Sequence, residues 1–167
     1  FFKDGRYYVK DRPHPLTKDE YLEFILNLTK NYSLLCLEDP LDQDDFEGWS
    51  KLLKAMARDI YLIGDDLLAT NKERLERAIK DKACSMVLVK PNQIGTISEI
   101  MEVVEIAKKN DLAVLVSHRS GETNDSFIAD FAVGVQADFV KFGAPSRGER
   151  VAKYNRLWQI EREKLAK

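Results

Sequence analysis

Short apolar runs alternate with longer stretches of helical period along most of the chain. The runs LLCLE (34–38), IYLIGD (60–65), SMVLVK (85–90), LAVLVSH (112–118) and ADFVK (137–141) have strand length and almost no polar interruption. Such runs belong to strands covered on both faces, as in a parallel sheet flanked by helices. Between them the apolar positions recur at spacings of three and four. Thr96 and Glu99 form a capping box ahead of Ile97, Ile100, Met101 and Val104, which share one helical face. Asn71 caps a helix that buries Leu75, Ala78 and Ile79, and Phe127, Ile128, Phe131, Ala132 and Val135 mark the next stripe. A last helix buries Val151, Tyr154, Leu157 and Trp158 and frays into the charged EREKLAK. Thr17 and Glu20 bracket a further capping box, opening a helix to about Asn31. Ahead of it, Asp4-Gly5 between aromatic runs predicts a hairpin turn, followed by a loop holding Pro13 and Pro15. The alternation predicts an α/β fold of five βα units, barrel or doubly wound.

Composition narrows this to one unit. At 167 residues the chain can bury one sizeable core and is too short for two ordinary domains. A 44% apolar and 32% charged composition with net charge -2 is that of a soluble globular protein, with no electrostatic bias toward nucleic acid or an anionic membrane. An anionic ligand must therefore be met by a local site. No apolar run approaches the roughly 20 residues of a membrane span, and no signal-peptide pattern is present. Cys36 and Cys84, the only cysteines, lie inside apolar runs, which predicts buried reduced thiols and a cytoplasmic setting. The opening FFKDG lacks a methionine, and the chain is expected to be a piece of a longer one.

The chemistry sits where the strands end. Each run closes on a polar group: Glu38, then Asp65 with Asp66, then Lys90, then His118 with Arg119 and Ser120, then Lys141. Taken singly, a strand-end carboxylate is more often a helix cap, a lysine more often reaches to solvent, and a histidine is more often a hydrogen-bonded structural residue. Their recurrence once per unit is harder to obtain by chance, because the carboxyl ends of parallel barrel strands share one rim and active sites form there. Carboxylates without cysteine favour magnesium over zinc, with further positions left to water, substrate or a third protein ligand. Lys90, placed near a metal and near Lys141, has reason to become a neutral base. A metal with a lysine base suits removal of a proton beside a carboxylate, while Arg119, Ser120 and the backbone around Gly121 can hold a phosphate. P-loop, GxSxG and CxxC patterns are absent, and His14 and His118 lack zinc-ligand spacing.

The blocks EDPLDQDD (38–45), GDDLLATN (64–71), LVKPNQIGT (88–96), VSHRSGETND (116–125) and KFGAPSRGERVAKYN (141–155), with DGRYY near the start, resemble the enolase family over nearly the whole chain. The resemblance implies a TIM-type βα barrel of which residues 1–167 are about the last five units. It also implies Mg2+ held by Glu38 and Asp65, although sequence alone leaves Asp66 open in place of Asp65. Lys90 would then be the general base, Ser117, His118, Arg119 and Ser120 substrate and phosphate contacts, and Lys141 the partner of the substrate carboxylate. The implied reaction is the reversible dehydration of 2-phosphoglycerate to phosphoenolpyruvate in glycolysis, by a homo-oligomer, dimer or octamer. Pro91, Phe142 and the SRGER wording differ from the commonest forms and suggest a divergent, archaeal-type branch. The family's amino-terminal domain, first barrel strands, third acidic ligand and the glutamates serving hydroxide departure would all precede Phe1, so residues 1–167 alone are expected to be inactive. Two other readings stay open. One is a relative that takes the proton from an unphosphorylated acid, against which HRSGET and the second lysine argue. The other is a non-catalytic remnant that binds a partner through the final helix and Lys167, against which the intact polar set argues.

Overall fold

The computed structural model describes residues 1–10 and 12–165; Lys167 lies outside them. The chain opens with a hairpin, β1 (Phe2–Lys3) and β2 (Arg6–Tyr7), whose turn places Asp4 and Gly5 at φ of 50° and 74°. Two consecutive left-handed residues make the turn that matches strand twist, which Asp-Gly adopts readily. Tyr7 anchors the hairpin: its ring stacks on Tyr21 at 3.9 Å, and its hydroxyl accepts a hydrogen bond from the Asp42 backbone at 2.9 Å.

Helix α1 (Lys18–Asn31) begins at the predicted capping box, with both Thr17–Glu20 bonds formed. Then follow β3 (Cys36–Glu38), α2 (Phe46–Ala55), β4 (Tyr61–Gly64), α3 (Lys72–Asp81), β5 (Met86–Val89), α4 (Pro91–Ile94), α5 (Ile97–Lys109), β6 (Ala113–Ser117), α6 (Phe127–Gly134), β7 (Phe139–Lys141) and α7 (Gly148–Leu165). The observed strands are shorter than the predicted runs: β4, β5 and β6 stop before the polar residues that close their runs, whereas β3 and β7 keep Glu38 and Lys141 in register with their neighbours. Helix α2 was not anticipated. The Asp45 side chain caps it by accepting from Gly48 N–H at 3.2 Å, and Phe46, Trp49 and Leu52 are buried. A Cβ at position 48 would lie 2.7 Å from Asp45 Oδ2, so this cap needs glycine there.

Strands β3 to β7 form one parallel sheet in sequential order, as βα units demand. The side chains alternate across it. Leu62, Val87, Val89, Val114 and Val116 face the helices in the main core, whereas Ile63, Met86, Leu88 and Leu115 form a second cluster on the opposite face with Tyr61 and Phe139. That second face is concave. Tyr61 and Phe139 belong to strands three places apart, yet their rings are 5.5 Å centre to centre. Lys141 on β7 reaches Glu38 on β3, the opposite edge, at 2.6 Å. A flat five-stranded sheet would separate its edge strands by roughly 19 Å. The sheet is therefore curled into half of a TIM-type barrel, with helices on the convex side.

Four residues expected in the core are exposed: Ile97, Met101, Phe127 and Trp158. On α5 the buried face is Ile100, Val103, Val104 and Ala107, rotated slightly from the predicted one. Trp158 instead carries the Arg162 guanidinium over its ring at 5.0 Å. Cys84 is buried as expected, its thiol pushed up to about 12 by burial, but Cys36 is exposed because β3 is an edge strand. Among the described residues no helix is long and apolar enough to cross a membrane.

Candidate active site

The carboxyl ends of the five strands carry the polar groups that the sequence placed there. Glu38 closes β3, Asp65 follows β4, Lys90 follows β5 and precedes α4, His118 follows β6, and Lys141 closes β7. Curling of the sheet brings the first and last of these into contact. Both Glu38 oxygens accept from Lys141 Nζ, at 2.7 and 2.6 Å. Asp65, which is buried, accepts from Lys90 Nζ through Oδ2, while its Oδ1 is buried without a hydrogen-bond partner among the described residues. Each lysine is thus partnered by a carboxylate.

The position of Asp65 is set by its neighbour in space, Asp39. Asp39 adopts φ 42°, and its two carboxylate oxygens accept the backbone N–H groups of Asp65 at 3.0 Å and Asp66 at 2.8 Å. This clamp ties the turn after β4 to the turn after β3. It leaves Asp65 facing inward and Asp66 exposed. Burial raises the Asp39 carboxyl above its ordinary value, despite the two amide donors that favour its charge. Glu38, Asp39 and Asp65 each offer an oxygen within 4.8 Å of the others, and Asp66 is outside that group. Asp39 spends both oxygens on backbone amides, whereas Glu38 and Asp65 are engaged by lysine side chains, and Asp65 Oδ1 has no partner among the described residues, so Glu38 and Asp65 are the candidate ligands. Hard carboxylate oxygens and the orphaned Asp65 Oδ1 fit a small divalent cation such as magnesium.

Lys90 is fixed from below. Its backbone N–H donates to Thr70 Oγ1 at 3.0 Å, and that fully buried hydroxyl donates to Gln93 Oε1 at 2.5 Å. Ala69 and Thr70 sit at φ of 47° and 53°, left-handed conformations that cost non-glycine residues about 1 kcal/mol or more each. That strain delivers Thr70 to the end of the neighbouring strand.

His118 is half-buried, and its backbone N–H donates to Lys141 O at 3.0 Å. Burial, helped by Arg150, Lys153 and Lys141, lowers its pKa against the opposing pull of Glu122. Its Nδ1 is buried without a partner among the described residues. Gly143, at φ 78°, allows this approach, since a Cβ there would lie 2.8 Å from Arg150 Cδ and 3.0 Å from His118 Cε1. Ser117 is buried and donates to His118 O at 3.0 Å, so its hydroxyl shapes the turn. Arg119 and Ser120 are exposed at the rim. A cleft of about 440 Å³ runs along α1 beside Arg12 and Phe24, away from this chemistry. The rim is an open half-bowl and encloses little volume by itself.

Fold and rim together define a βα-barrel protein with acids and lysines converging at the carboxyl ends of its strands. The family model described as "Enolase, C-terminal TIM barrel domain" matches residues 1–167. The chain is 49% identical over 163 residues to the enolase of Sulfurisphaera tokodaii, covering 98% of this chain and 38% of that one. It is 47% identical over 165 residues to the enolase of Nitratiruptor sp. (99% and 39%), and 47% identical over 163 residues to that of Methanocaldococcus jannaschii (98% and 38%). The chain belongs to the enolase family, and it spans less than two-fifths of the length of these relatives. Their identities differ too little to set one branch apart.

Proposed function

We propose that the protein to which residues 1–167 belong catalyses the reversible dehydration of 2-phosphoglycerate to phosphoenolpyruvate, a glycolytic and gluconeogenic step in the cytoplasm. The observation that carries this reading is the rim itself, where Glu38 and Asp65 pair with Lys141 and Lys90 at the ends of strands brought together by curling. A magnesium ion held by Glu38 and Asp65 would supply positive charge against the charge developing on the substrate carboxylate. Lys141 lends a second cation to that carboxylate. Lys90 takes the proton from the carbon beside it, its amine set by the Thr70 hydrogen bond and the Asp65 pair. Arg119 and Ser120 hold the phosphate, and His118 presents its imidazole nearby.

A third acidic ligand and the groups that assist hydroxide departure come from segments outside residues 1–167, in keeping with the relatives' greater length. The whole protein works as a homo-oligomer. The exposed guanidinium and hydroxyl after β6 favour a phosphorylated acid over an unphosphorylated one. In the full-length protein, Lys90→Ala should bind 2-phosphoglycerate yet lose exchange of its α-proton with deuterated solvent. Exchange persisting in that variant would overturn the assignment of the base.

A further inference from the structure

Helix α7 buries one residue fully, and that residue is a lysine. Lys153 is 0% exposed. A buried ammonium is tolerated only when its protons find acceptors and its charge finds a partner. Lys153 has both: Nζ donates to Thr123 O at 3.1 Å, Asp125 O at 3.1 Å and Glu149 O at 2.8 Å, and it lies 2.7 Å from Glu122 Oε2. Glu149 is one turn back on the same helix. The other three acceptors all belong to the loop between β6 and α6.

The connection continues to the rim. Glu122 Oε1 accepts the backbone N–H of Arg119 at 3.0 Å, so a continuous path runs from the ammonium through the Glu122 carboxylate to the backbone that carries Arg119 and Ser120. Those two side chains have little support of their own. Both residues are exposed, and the guanidinium's hydrogen bond within the described residues is a long one, to Asn92 Oδ1 at 3.4 Å. The loop is therefore oriented from beneath, by α7. Replacing a buried ion pair with apolar groups often costs a fold little. Here, however, the ammonium also satisfies carbonyls of an irregular loop, which have no strand or helix partner.

We propose that Lys153 is a positioning residue that, through Glu122, holds the β6–α6 loop so that Arg119 and Ser120 meet the substrate phosphate. This rests on the reading of 2-phosphoglycerate as substrate. The test uses the full-length protein and three variants, Lys153→Met, Glu122→Ala and Glu122→Gln, each checked for cooperative melting. In Lys153→Met and Glu122→Ala, KM for 2-phosphoglycerate and the inhibition constant of inorganic phosphate should both rise about tenfold, with kcat and magnesium affinity changed less than threefold. Glu122→Gln keeps an acceptor for the Arg119 amide and should recover most of that loss. If Lys153→Met fails to fold, the two Glu122 variants decide. Folded variants whose KM and phosphate affinity stay within twofold of wild type overturn the proposal, as does a fall confined to kcat or magnesium binding. A wild-type protein that does not turn over 2-phosphoglycerate would instead refute the assigned reaction. Phosphate affinity measured by calorimetry would then judge Lys153 separately.

Discussion

At the scale of single residues, the charge of His118 is set by burial and by several charged neighbours. Burial disfavours its imidazolium, and Arg150, Lys153 and Lys141 add to that, while Glu122 alone favours it. A histidine with a depressed folded-state pKa contributes stability that is complete above its unfolded value of 6.5 and is lost as pH falls through the lower folded value. In NMR titration of the full-length protein, the His118 ring should therefore show a midpoint below 6.5, and Glu122→Gln should lower it further. A midpoint at or above 6.5 would mean that the ring is more open to solvent or to Glu122 than described. The rim residues Glu38, Asp65, Lys90, His118 and Lys141 were legible in the sequence because each interrupts or follows an apolar run. Asp39 was not, since its part depends on a left-handed backbone and on amides 26 and 27 positions along the chain. Lys153 did leave a trace: it lies four residues before Leu157, on the apolar stripe of a helix whose other charges suggest solvent.

Among the elements, the connection between β4 and α3 shows how a loop can serve a neighbouring strand. Thr70 leaves its own unit to cap the end of β5, where Lys90 is the N-cap residue of the four-residue α4. Thr70→Val keeps the shape but strands the Lys90 amide and the Gln93 carbonyl. It should lower stability by about 1–3 kcal/mol in chemical denaturation of the full-length protein, together with a loss of activity from the displaced lysine. An unchanged denaturation midpoint would show that water or another donor replaces the hydroxyl. Strand positions were readable because parallel strands are apolar on both sides. The exact face of α5 and the burial of Trp158 were not, because three- and four-residue spacings define a stripe without fixing its centre. Helix α2 is not legible in the sequence because Gly48 weakens its helical pattern, and the need for that glycine appears only with the Asp45 cap.

For the molecule as a whole, curvature is the dominant feature. It buries Ile63, Met86 and Leu88 on the concave face within these five strands. The edges fare differently: Leu35, just before β3, is 59% exposed, and Val140 on β7 is 37% exposed. Open parallel edges with apolar side chains invite pairing with another chain. Residues 1–167 produced alone should therefore associate in light scattering at micromolar concentration and show no dehydration of 2-phosphoglycerate with magnesium. A monodisperse, active monomer would contradict both expectations. That five units are too few for a closed barrel could be counted in the sequence. That their two edges come close enough for a salt bridge could not, because it depends on the cumulative turn of strand on strand.

The support beneath the β6–α6 loop also has a consequence for how the chain is made. Thr123 precedes Lys153 by 30 residues, and β7 ends at Lys141, so every strand of the half-barrel has been synthesised before the lysine that orients this loop is added. A growing chain thus acquires the charges of its rim first, and the fixed orientation of Arg119 and Ser120 only once α7 has been synthesised and has docked.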